Sequence, residues 1–112
     1  MTRDIDLRIE ALLSIQRALW DMVTPALRGV TISVQPGTIH SRFLFEHEPT
    51  TDELEIVADA ETEVIADFRS DVDVSFRGEA LPPSSSRELL PGEEWVYLRR
   101  ESSTPAAGTQ TD

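Results

Sequence analysis

Cysteine is absent from this sequence, which excludes a disulfide framework and the thiolate zinc sites common in small domains. Lysine is absent too. All ten basic residues are arginine, a bias that fits a GC-rich coding sequence better than a mechanism. Basic charge is scarce, ten arginines against 21 acids, and the formal net charge is -11. Such a field repels nucleic acid and anionic membrane surfaces, and it steers a basic protein partner. Long apolar runs are missing, so no stretch approaches the ~20 residues of a membrane span. The opening MTRDIDLRIE interleaves charges with apolar residues, where a secretory signal has an uninterrupted apolar core. These absences lead us to expect a cytoplasmic protein.

Catalytic motifs are missing as well: there is no GxSxG, Walker loop, HExxH or thiol nucleophile. His40 and His47 are the only residues that suggest a metal. Seven positions apart across a strand and its exit, they do not converge on one ion. We therefore expect no enzyme activity, no metal and no cofactor.

What is present fits one modest core. Of 112 residues, 39% are hydrophobic, consistent with a single α+β domain over residues 1–101. From Ser102 onward the chain has no periodicity and few large apolar groups, so a disordered tail is expected over residues 102–112.

The spacing predicts a first helix over Asp4 to Val23. At 100° per residue Ile9, Leu12, Leu13, Leu19, Trp20 and Val23 share one side, the expected core face, with Gln16 near its centre as a buried amide. Asp6, Glu10, Ser14, Arg17 and Asp21 take the other side. Pro25 is expected to open a short helical turn through Arg28, closed by Gly29. Alternation then predicts strands over Val30 to Gln35 and Thr38 to Glu46, joined by the turn signal Pro36-Gly37. Two further strands are predicted over Val72 to Glu79 and Glu94 to Arg100. The last has either Trp95 and Tyr97 or Val96 and Leu98 inward. Ala80 to Glu93, rich in proline and serine, is expected to be an exposed loop.

Between the two strand pairs, Thr50 to Phe68 (TTDELEIVADAETEVIADF) reads as a second helix, introduced by Thr50 with Glu53 three residues on, the capping-box pattern. Glu55, Asp59, Glu63 and Asp67 recur every four residues and form an acidic ridge, with Asp52 at its head. Like charges at this spacing destabilise a helix by roughly 0.2–0.5 kcal/mol per pair, and Glu63 and Asp67 lie where the helix dipole disfavours anions. The helix must therefore be held by packing through Leu54, Val57, Ala58, Ile65 and Phe68. Glu61 falls inside that apolar side and needs a partner, for which Arg28, Arg42 and Arg77 are candidates. The order αββαββ predicts a two-layer sandwich, with two helices on one face of a four-stranded, mainly antiparallel sheet.

The candidate partner-binding residues are thus Asp52, Glu55, Asp59, Glu63 and Asp67 on the ridge, with Trp95 and Tyr97 as aromatic anchors on a possible edge strand. The open sheet face is a second candidate surface.

The segments VTPALRGV (Val23 to Val30), TEVIADF (Thr62 to Phe68) and WVYLRRE (Trp95 to Glu101) resemble small CdiI-like immunity proteins of bacterial contact-dependent growth inhibition. The resemblance implies a non-catalytic cytoplasmic protein that binds and blocks a toxin domain, often a nuclease, delivered by a neighbouring cell or made by its own. A non-catalytic adaptor or secretion chaperone for a basic protein is the alternative. Such a protein would bind its partner without neutralising it.

Overall fold

The computed structural model describes residues 2–101, with side chains from residue 6 onward. The tail expected over residues 102–112 lies outside the described residues. Six elements follow in the predicted order: α1 (Thr2–Ala18), β1 (Leu27–Gln35), β2 (Thr38–Phe45), α2 (Thr51–Ala66), β3 (Asp73–Ala80) and β4 (Glu93–Leu98). The strands form one sheet in the order β3-β2-β1-β4. β1 pairs antiparallel with β2 through the Pro36-Gly37 turn, where Gly37 takes φ +81°, and antiparallel with β4 on its other side. β3 runs parallel to β2. A parallel neighbour cannot be reached by a hairpin, and α2 is the crossover that makes the connection.

The core lies between the sheet and the helices. Val30 and Ile32 of β1, Ile39, Phe43 and Phe45 of β2 and Phe76 of β3 meet Ala11, Ile15 and Ala18 of α1 and Val57, Ala60 and Val64 of α2. The rings of Phe43 and Phe76 stand 5.8 Å apart, in the range of favourable aromatic pairs. α2 begins as predicted, with both halves of the capping box made: the Thr50 amide donates to Glu53 and the Glu53 amide to the Thr50 hydroxyl. Its packing residues are Val57, Ala60 and Val64, while Leu54 and Ile65 are exposed.

Several local expectations are corrected. α1 ends at Ala18, not Val23, and its buried side is Ala11, Ser14, Ile15 and Ala18. Ile9, Leu13, Trp20 and Val23 face solvent, and Gln16 is exposed too. The cause is steric and polar together. The small residues let the helix approach its neighbours closely, and two hydrogen bonds on each flank fix its rotation: Ser14 and Arg17 to Asp67 at the end of α2, and the Arg8 guanidinium to both oxygens of Glu94 on β4. No helical turn forms over Pro25 to Arg28. β1 already begins at Leu27 and bulges at Arg28. Gly29 closes no helix. A Cβ there would lie 2.8 Å from Cζ3 of Trp95, so the glycine admits the indole against the β1 backbone.

Glu61 pairs with none of the three arginines considered for it. Its carboxylate accepts from the backbone N–H of Phe76 at 2.9 Å. β3 is an edge strand, and an outward N–H left open there is a template for unwanted pairing, so Glu61 closes that edge.

The chain leaves α1 through Asp21, the one non-glycine residue with positive φ, 65°, among the described residues. Bonds from the Trp20 amide to the Arg17 carbonyl and from Met22 to Leu19 tighten this turn. The left-handed conformation costs an L-residue about 1 kcal/mol, and glycine takes it freely. Asp21→Gly is therefore expected to stabilise the fold by about 0.5–1 kcal/mol, less the entropy glycine adds to the unfolded chain. Urea unfolding checks this, and a destabilised variant would mean that the Asp21 side chain contributes more than its backbone costs.

Candidate protein-binding surface

The arginines are largely used up inside the molecule. Arg28 is only 3% exposed and donates to the Glu101 carboxylate and to the carbonyls of Leu81, Pro82 and Ser85. Arg42 bridges Glu93 with Nε and Nη2 at 2.7 and 2.6 Å, and it also reaches Glu79 and the Glu88 carbonyl. Arg87 donates to the carbonyls of Arg28 and Arg99, and Arg99 to Glu46 and Glu101. These contacts lie on the sheet face away from the helices and pin the connection between β3 and β4 across it. The connection is exposed, as predicted, but anchored. Leu44, which points to this face, is completely buried. The second candidate surface is thus partly roofed by the chain itself.

The roof's carboxylates respond to this setting. Hydrogen bonds from Arg28, aided by the nearby charges of Arg28 and Arg87 and opposed by burial, hold Glu101 down at about 2. Burial pushes the Glu93 carboxyl up, but the bonds from Arg42, the Leu90 amide and Thr31 hold it below the usual range.

Arg8, Arg17 and Arg77 are also paired, with Glu94, Asp67 and Glu79. Among the described residues only Arg69 and Arg100 make no ion pair. Much of the uncompensated negative charge therefore lies on the helical layer, with Glu48, Asp71, Asp73 and Glu88 elsewhere. Asp52, Glu55, Asp59 and Glu63 are exposed along α2 and enter no ion pair among the described residues, and the same holds for Asp6 and Glu10 of α1.

Asp67 behaves differently from the rest of the ridge. It caps the C-terminus of α2 and accepts from the Ser14 hydroxyl at 2.6 Å and from Arg17 at 2.7 Å, and these two bonds hold its carboxyl below the ordinary value. The anion at the unfavourable end of the helix dipole is thereby compensated, and it joins the two helices. Beside it opens a cleft of about 510 Å³ whose rim carries Asp6, Glu10, Asp67 and Asp71 against Arg69, with Leu7, Phe68 and Val72 inside. The ridge thus runs along α2 into a second group of acids. Asp6 and Glu10 share its four-residue spacing and lie on the predicted polar side of α1. No local signal in the sequence says that this side meets the end of α2.

Trp95 and Tyr97 sit apart from the ridge, on β4, which is an edge strand. Both are half-buried: Trp95 lies against Gly29, and Tyr97 packs on the core together with Val96. The register of β4 slips by one residue between the partners of Val30 and Thr31, which is why neighbouring side chains both pack inward. His40 is exposed, and His47 lies 3.7 Å from Glu53. Among the described residues no group of histidines and carboxylates has metal-binding geometry, and no helix is long and apolar enough to cross a membrane.

Residues 8–101 match the family model described as MafI2 immunity protein. No curated protein matches the chain. The matched span ends on Glu101, the carboxylate that Arg28, Arg87 and Arg99 surround.

Proposed function

This chain belongs to the MafI2 immunity protein family, and from that premise we propose that it neutralises its toxin by laying the acidic helical layer over a basic surface of the toxin domain. The family is one of immunity proteins, so the role is binding and not catalysis. The three segments that resemble CdiI-like proteins fall inside the matched residues, and the part of that resemblance which holds is the immunity role. The adaptor or chaperone alternative has no observation of its own in its favour.

One observation carries the proposal: Arg28, Arg42, Arg77, Arg87 and Arg99 are paired on the sheet and loop side and Arg8 and Arg17 with Glu94 and Asp67, while among the described residues Asp52, Glu55, Asp59 and Glu63 of α2 and Asp6 and Glu10 of α1 enter no ion pair. Unpaired acids on one face raise the encounter rate with a basic partner and disfavour acidic ones. We take the toxin to be a nuclease domain delivered by a neighbouring cell or made by the host itself, because an enzyme acting on nucleic acid must keep a basic surface for phosphates. An acidic inhibitor would occupy that surface.

Coexpression with the protein encoded by the adjacent upstream reading frame tests the reading. Cells carrying both should survive, and the two proteins should copurify at equal stoichiometry. Cell death despite expression of this chain, or survival without copurification, would refute it.

A further inference from the structure

Two large apolar side chains of α1, Ile9 and Leu13, face outward, and so does Trp20 just beyond its end. At 100° per residue Ile9, Leu13, Gln16 and Trp20 lie within about 60° of one another. All four are exposed, Leu13 at 55% and Trp20 at 73%, and Val23 beyond the turn is exposed as well. The side turned to the core buries Ala11, Ser14, Ile15 and Ala18, with Leu7 and Leu12 packed against them. The helix therefore carries a second, outward apolar stripe beside the one that packs inward. The turn after the helix keeps it so. Leu19 is drawn into the core, and the left-handed Asp21 reverses the chain directly after Trp20, which stays outside. Backbone strain of this kind persists where the surrounding structure holds it, and it concentrates at working surfaces.

From this stripe and its charged border we infer that Trp20, with Leu13 and Ile9, is the apolar anchor by which the chain grips its toxin domain. The inference rests on the immunity reading above. Asp6, Glu10 and Asp21 border the stripe and enter no ion pair among the described residues, and Arg17 beside them is paired with Asp67. The charge of this border decides the occupant. In a two-fold contact between copies, each at net charge -11, the same acids would face one another. A basic partner with an apolar pocket at its centre meets both the stripe and the border. An indole entering such a pocket, ringed by charged contacts that exclude water, is the usual composition of an interface hot spot. Gln16, in the middle of the stripe, supplies an amide to the partner.

Titration of the purified toxin domain from the adjacent upstream reading frame against the full chain tests this. Trp20→Ser is expected to raise Kd at least about 30-fold, the factor that separates a hot spot from an ordinary contact. Leu13→Ser should raise it less. Because both side chains are exposed, the unfolding midpoint of each variant should match that of the unsubstituted chain. Unchanged affinity in both variants, with protection by the unsubstituted chain intact, overturns the inference and leaves the acidic-surface reading standing. A chain that neither binds nor protects overturns both. A dimer in sedimentation that Trp20→Ser dissolves also overturns it, since the stripe would then be occupied by a second copy.

Discussion

Glu93→Ala is expected to destabilise the fold by about 3 kcal/mol, the lower end of what breaking a buried ion pair costs. The Glu93 side chain is 8% exposed and accepts four hydrogen bonds, two from Arg42, one from the Leu90 amide and one from the Thr31 hydroxyl. Its removal strands the Arg42 guanidinium, which is 11% exposed and keeps only Glu79 and one carbonyl. Against a typical total stability of about 5–15 kcal/mol, this lowers the melting temperature by roughly 10–20 °C. The cost arises from an unpaired charge and not from lost attraction, so Arg42→Met combined with Glu93→Leu should recover most of it. Thermal unfolding of the two single variants and the double variant decides the matter. Strict additivity would show that the residues do not act as a pair.

The same roof sets the acid limit. The folded-state pKa values of Glu93 and Glu101 lie below their unfolded values, Glu101 reaching about 2 from 4.5. Their contribution is fully present above the unfolded value and is lost as pH falls from about 4.5 towards 2. Acid unfolding of the unsubstituted chain should lie in that window, and Glu93→Ala should unfold at higher pH.

Reversing the ridge should abolish protection while leaving the fold in place. Glu55→Arg, Asp59→Arg and Glu63→Arg together replace three exposed carboxylates with cations facing the proposed basic surface. Electrostatic steering accounts for factors of about 10–1,000 in association rate, so the triple variant should associate at least about 100-fold more slowly and lose the salt dependence of the original. The three cations repel one another as the three carboxylates did, and stability should change by no more than about 0.5 kcal/mol. Stopped-flow association at low and high salt, alongside the survival assay, reads both effects. An unchanged rate with intact protection would remove the ridge from the interface. Asp67 belongs in a separate variant, because its bonds to Ser14 and Arg17 make it part of the contact between the helices.

Much of the architecture could be read locally. The order of elements, the Pro36-Gly37 turn, the capping box at Thr50 and the excess of acid follow from short-range pattern and composition, and each recurs in the structure. So does the exposure of Glu55, Asp59 and Glu63, since a helix held by Val57, Ala60 and Val64 turns its opposite side outward. Periodicity, however, identifies residues that share a face without saying which way that face turns. The rotation of α1 came from bonds to residues 53 and 86 positions away, Ser14 to Asp67 and Arg8 to Glu94. Those contacts, together with the close approach allowed by Ala11 and Ala18, left Leu13 and Trp20 in solvent. The partners of the arginines were decided in the same way. Arg28 and Arg42 lie in the first half of the chain, and Glu93 and Glu101 reach them only once β4 has paired with β1. Net charge is a sum over the sequence, but the place where it remains uncompensated depends on which opposite charges the fold brings within bonding distance.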